Sequence, residues 1–270
     1  MRAKIRTAAT SPRILRAWAS CRVMACALGW SVVLALAAPA LADKEPMEAF
    51  EEIEMFEAHG MIGTLTLPAG APDLRTAAII ILQDANGPDG RAGLYVEQLL
   101  GANFAVLEVL LAERMNLEAL MNALAAHPRM LGSHLGVMGF GAGARLLAQW
   151  PGRAQARALL YPGCASLQTA AMPDEAVLLM HGDADGLHAS QPCAQLATRL
   201  RAAAREMQWR VLAGAGYAWD LPAFAGEGAS MLPAPDGSGR IAATNHPAMA
   251  ALSAAQVAGF FATSLFGPAR

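Results

Sequence analysis

The chain has 270 residues, 20 basic and 22 acidic, and six of the basic ones fall within the first 42 residues, which hold no acid. The 228 residues that follow (270 less 42) therefore carry 14 basic and 22 acidic side chains, a formal net charge of −8. A mildly acidic chain without a basic stretch excludes a nucleic-acid partner, and its length suits one well-filled core.

At the start, Arg2, Lys4, Arg6, Arg13, Arg16 and Arg22 precede an apolar run over 23–38, and Ala40-Leu41-Ala42 supplies small residues. Basic, apolar, small is the order of a secretory signal peptide, cut after Ala42, so the expected location is secreted or periplasmic. The run is short of a comfortable membrane span and ends in Pro39, so no stable span is expected after cleavage. Cys21 and Cys26 leave with this segment. Cys164 and Cys193 remain, an even count in an oxidising compartment, which favours a disulfide. Neither stands at metal-ligand spacing from a neighbouring His or Cys, so no metal is expected.

Weak alternation over 49–56 and clear alternation over 61–67, with Gly60 between them, predict an antiparallel hairpin. The run Ala77-Ala78-Ile79-Ile80-Ile81-Leu82 predicts a strand covered on both faces. A loop over 83–90, a helix near 92–100, a covered strand over 104–111 interrupted by Glu108, and a helix over 117–126 follow. A strand over 134–139 then runs into a glycine cluster and an Ala/Leu-rich helix. Beyond it come strands over 157–161 and 176–181, a helix over 193–206 with Arg205 and Glu206 at its polar end, and a last strand over 209–212. A Gly- and Pro-rich loop reaches Asn245, and a helix over 247–265 closes the chain. Alternating strands and helices predict an α/β class and a single domain over 43–270: a mostly parallel central sheet, an N-terminal antiparallel hairpin at one edge, helices on both faces. Sites in such sheets form at the carboxyl ends of strands, here after Leu82, Gly139, His181 and Leu212.

The glycine cluster Gly139-Phe140-Gly141-Ala142-Gly143 is a strand–turn–helix junction, and two chemistries use that geometry. A nucleophile elbow, G-x-S-x-G, presents an attacking side chain over the sheet. A dinucleotide turn, G-x-G-x-x-G/A, brings backbone close to a pyrophosphate. Gly139-x-Gly141-x-x-Ala144 fits the second spacing, but the acidic residue expected about 20 positions on is missing, and a secreted location argues against a nicotinamide cofactor.

The order of five pieces resembles the dienelactone hydrolase family of the α/β-hydrolase fold over about residues 47–266. They are Ile80 to Gly87, the elbow at Gly139 to Gly143, Leu160-Tyr161-Pro162-Gly163-Cys164, His181-Gly182-Asp183-Ala184-Asp185, and Ala213 to Asp220. The resemblance implies ester or lactone hydrolysis without a cofactor, by a Cys or Ser at the elbow, a His that activates it and an Asp that orients the His. Carried over by position, the nucleophile site is Gly141, the acid is Asp185 and the His site is Tyr217. The oxyanion donors are the N–H of Ala142 and one in the Asp84–Ala85 turn. The family's His-Gly at the end of the third strand is here Gln83-Asp84.

Glycine carries no attacking atom, and a tyrosine titrating near pH 10 is a poor base at neutral pH. Loss of the nucleophile alone lowers rate on the order of a millionfold in such triads. The expectation is a pseudo-enzyme with weak or no hydrolase activity, in which Asp185 persists as a hydrogen-bond partner of Tyr217. Cys164 is either a displaced nucleophile or half of a Cys164–Cys193 disulfide, and the oxidising location favours the disulfide. His181 is expected to pack beneath the site, while His188 and His246 lie in loops that could reach the cleft. Glu108 is either a satisfied interior carboxylate or a pocket residue with a raised pKa. The other open class is a binding protein, in which the N–H groups of Ala142 and Gly143 at a helix start hold a small carboxylate, ester or lactone.

Overall fold

A computed structural model describes residues 52–70, 73–110, 115–222 and 230–267. The expected signal peptide and residues 49–51 of the first expected strand lie outside the described residues, as does Leu111. β1 (Glu52–Ala58) and β2 (Met61–Leu67) form the antiparallel hairpin. His59 and Gly60 turn it with φ of 52° and 75°, the positive values that a tight hairpin turn requires. β3 (Thr76–Leu82), β4 (Ala105–Val109), β5 (Met130–Phe140), β6 (Ala156–Leu160), β7 (Met172–Gly182) and β8 (Ala204–Leu212) complete an eight-stranded sheet of order β1-β2-β4-β3-β5-β6-β7-β8. β2 pairs antiparallel with β4, and every neighbouring pair from β4 to β8 is parallel.

Alternation along the strands divides the core into two. Ile79 and Ile81 of β3, Val106 of β4 and Met138 of β5 pack with α1 (Gly93–Gly101) and α5 (Pro247–Phe266). Their chain neighbours Ile80, Leu82, Leu107 and Val137 pack on the other face, with α2 (Leu117–Ala125), α3 (Ala142–Gln149) and α4 (Ser190–Ala203). Helices thus cover both faces, and the architecture is the α/β sheet expected, with the hairpin at one edge.

Several boundaries differ from those expected. β5 and β7 begin four residues earlier, at Met130 and Met172. The helix expected over 193–206 is displaced toward its N-terminus, and Arg205 and Glu206 are strand residues of β8. β8 is the sheet's far edge, where one face meets water and charged side chains are tolerated. The Gly- and Pro-rich loop contains a small hairpin, β9 (Ser230–Pro233) with β10 (Arg240–Ala243). α5 is long and apolar enough to cross a membrane by length and composition, but Ala254, Val257 and Phe261 are fully buried against the sheet.

Candidate active site

β5 delivers the chain to Gly141, which adopts φ 47° and ψ −109° and starts α3 at Ala142. The flanking glycines are required by close backbone approach. A Cβ on Gly139 would lie 2.5 Å from the Ala144 nitrogen, and one on Gly143 would lie 2.6 Å from the carbonyl oxygens of Leu82 and Gln83. The glycine spacing therefore reflects three pieces of backbone in contact: the ends of β3 and β5 and the first turn of α3.

Gly141 itself is enclosed by side chains. A Cβ there would overlap the Asp84 carboxylate, 2.5 Å from its Cγ, and the Tyr217 hydroxyl. What fills the space over the elbow is Asp84. Its Oδ1 accepts from the N–H of Ala85 at 2.8 Å and the N–H of Ala142 at 2.9 Å. Its Oδ2 accepts from the Tyr217 hydroxyl at 2.7 Å and the Arg91 guanidinium at 3.1 Å. The structure thus brings the expected oxyanion donors of Ala85 and Ala142 to one point, and an internal carboxylate oxygen sits at that point. A substrate carbonyl or a pyrophosphate would have to displace a charge held by four donors, which speaks against both the anion site at the turn and the dinucleotide alternative.

The network continues downward. Arg91 pairs with Asp89 and donates to the Tyr161 hydroxyl at 3.2 Å. Tyr161 and Tyr95 donate to the two oxygens of Asp220, each at 2.7 Å, and Ser253 bridges Tyr95 to the Trp219 indole. Burial pushes the Asp220 carboxyl above the ordinary aspartate value, opposed by Arg91 and the two tyrosines. Tyr161 and Ala218 have φ of 40° and 50°, so three residues around the centre, with Gly141, occupy the left-handed region. Such outliers persist only where surrounding contacts over-determine them, as this buried network does.

Tyr217 is fully buried and donates its proton to Asp84. Burial and the adjacent carboxylate hold its pKa far above the ordinary tyrosine value, so it is not a base in this setting. The expected hydrogen bond between Asp185 and Tyr217 is not formed. Asp185 turns instead to His188, whose Nδ1 lies 2.8 Å from Oδ2, and its Oδ1 accepts from the Leu187 N–H. The residues stand three apart on one tight loop, a local contact that needs no second loop to reach in.

The Asp185–His188 pair has the form of half a triad, but its outer nitrogen is occupied. His188 Nε2 accepts the Gly163 N–H at 3.0 Å, and neither side chain is exposed. Cys164, the next residue, is bonded to Cys193, joining the end of β6 to α4 as expected. His181 stacks on His188 with ring centres 4.9 Å apart and accepts the Trp209 indole N–H at 2.9 Å. It therefore packs against Trp209 of β8 and lies beside the disulfide. Cys164, His181 and Cys193 lie within 4.8 Å of one another, close enough to hold a metal if the thiols were free. Their sulfurs are bonded to each other, which removes both as ligands. His246 caps α5, and Glu108 is half-buried, accepting from the Gln83 amide at 3.0 Å. Arg91 and His188 were not given site roles by their sequence context, although the Asp-x-x-His spacing was a readable sign for His188.

No family model and no curated protein matches the chain. Solved structures do. A putative dienelactone hydrolase from Klebsiella pneumoniae is 16% identical with a TM-score of 0.55, over 79% of this chain and 98% of its own. A dienelactone hydrolase-like promiscuous phosphotriesterase from metagenomic libraries gives 17% and 0.54, over 80% and 98%. Esterase 2 of Thermogutta terrifontis gives 13% and 0.56, over 82% and 96%. The chain therefore has the α/β-hydrolase fold, the one shared by these esterases and dienelactone hydrolase-like proteins.

Proposed function

We propose that this is a secreted or periplasmic, non-hydrolysing member of the dienelactone hydrolase family. One observation carries the reading: the Asp84 carboxylate occupies the point where the N–H groups of Ala85 and Ala142 converge. Hydrolysis by this fold needs an attacking atom, a base and a vacant pair of donors for the developing oxyanion. The first is a glycine, the second is a tyrosine that donates to Asp84, and the third is filled from within. Asp84 does not substitute as a nucleophile, because both of its oxygens are saturated with donors and the residue is buried. In this reading, small-molecule esters, lactones or carboxylates are not held at the glycine turn.

The test is intact-mass spectrometry after incubation with a fluorophosphonate, which forms a covalent adduct with activated hydroxyl nucleophiles. The expected result is an unmodified mass. A stoichiometric adduct on one residue would overturn the proposal and identify the nucleophile.

A further inference from the structure

One cleft lies beside the closed turn and shares none of the side chains that fill it. The sheet face that carries Ile81 runs outward through the strand register to Glu108 in β4, Thr64 in β2 and Met55 in β1. Further back along β4 the same face is sealed, with Val106 fully buried in the cluster that includes α1 and α5. Toward the hairpin, among the described residues, Met55, Ile62 and Leu110 are half or more exposed. A cavity of about 310 Å³ opens there, lined also by Pro88 and Gln83. That volume is at the lower end of the range for small-ligand sites.

The polar side chains lining this cavity are Thr64, Gln83 and Glu108. Gln83 is 2% exposed; its Nε2 donates to Glu108 Oε2, and its buried Oε1 has no hydrogen-bond partner among the described residues. Buried acceptors are rarely left unpaired, so this oxygen calls for a donor from outside the chain. Glu108 beside it is half-buried, Gln83 is its one hydrogen-bond donor among the described residues, and burial raises its pKa above the ordinary glutamate value. We propose that this cleft binds an organic ammonium with an apolar tail. The ammonium N–H groups meet Gln83 Oε1 and the Glu108 carboxylate, and the tail lies on Met55, Ile62, Pro88 and Leu110. An ammonium brings donors and a positive charge, which complement the unpaired Gln83 Oε1 and the Glu108 carboxylate. A carboxylate ligand would set its charge against Glu108. The proposal goes beyond the reading above and does not depend on the loss of hydrolysis.

The experiment titrates the purified protein at pH 8 with phenethylammonium chloride, and in parallel with 2-phenylethanol and 3-phenylpropionate, by calorimetry or ligand-observed NMR. Saturable binding of the ammonium is expected, about tenfold or more tighter than the alcohol, as a charge-assisted hydrogen bond implies. The carboxylate is expected not to bind. Glu108→Gln should make ammonium and alcohol equivalent, and Ile62→Arg, on the exposed rim, should abolish both while leaving the melting temperature unchanged. Lowering the pH should weaken the ammonium at a higher pH than a solvated glutamate would, because the carboxylate is protonated sooner. Absence of ammonium saturation, equal binding of ammonium and alcohol to the unaltered protein, or unchanged affinity in Glu108→Gln would each overturn the proposal. If it fails while the fluorophosphonate still leaves the mass unmodified, only this site is wrong. An adduct alongside ammonium binding would sink only the claim of lost hydrolysis.

Discussion

Replacing Asp84 by alanine removes the one acceptor shared by two backbone N–H groups, a tyrosine hydroxyl and a guanidinium. Arg91, with no exposed side-chain surface, keeps Asp89 but loses its second carboxylate. Removing one partner of a buried ion pair costs about 3–5 kcal/mol. Each buried donor left unpaired costs about 1–3 kcal/mol, but these losses overlap and water entering the vacated space recovers part of them. The net expectation is about 3–5 kcal/mol, a large share of the roughly 5–15 kcal/mol by which domains are stable. Guanidinium chloride unfolding followed by Trp fluorescence measures it, with the midpoint falling and the slope unchanged. Asp84→Asn keeps the Oδ1 acceptor for both N–H groups and should lose less than the alanine variant. A loss below about 1 kcal/mol for Asp84→Ala would mean that the carboxylate is not held as described, and the closed-site reasoning would fail with it.

Gly141→Ser places a side chain on a positive-φ residue against Asp84 and Tyr217, so it should destabilise the fold by at least the 1–3 kcal/mol typical of such strain. No esterase activity should appear in Gly141→Ser or in Gly141→Ser/Tyr217→His, because Asp84 still fills the donor pair; p-nitrophenyl acetate turnover by either would contradict this. Reducing Cys164–Cys193 opens a loop with a sequence separation of 29 and should lower stability by about 3–4 kcal/mol, measured by unfolding with and without a phosphine reductant. No hydrolysis should accompany reduction, since His188 Nε2 remains on the Gly163 N–H; thiol-dependent turnover lost in His188→Ala would show a displaced centre. Burial lowers the His181 pKa below its ordinary value of 6.5. The unfolded chain then binds more protons than the folded one, so this group's contribution is complete above pH 6.5 and is lost as the pH falls toward the lowered folded value. The slope is at most about 1.4 kcal/mol per pH unit. Trp209→Phe, which frees His181 Nε2, should flatten that slope in unfolding measured from pH 8 to 5.

The sheet was legible because its inner strands are continuous apolar runs. Ile79 to Leu82 admits no environment but burial on two faces, and Gly139, Gly141 and Gly143 mark a backbone contact that other residues would block. β8 was harder, since Arg205 and Glu206 read as the polar end of a helix when in fact they lie on an edge strand. The hairpin of Ser230–Pro233 and Arg240–Ala243 was hidden in a segment whose Gly and Pro content reads as loop. The closure of the site was not legible at all. Nothing local to Asp84 reveals that its side chain folds back on the Ala85 N–H, because the remaining donors come from residues 7, 58 and 133 positions away. Asp185 differs for the opposite reason: the resemblance implies a long-range contact with Tyr217, while its partner His188 stands three residues on.

The most direct measurement is steady-state hydrolysis of p-nitrophenyl acetate and of a simple lactone, dihydrocoumarin, by the purified, unaltered protein across pH 6 to 9. The expected trace is indistinguishable from buffer at every substrate concentration. Saturable, protein-dependent turnover would contradict the claim that an internal carboxylate has taken the place of the reacting substrate.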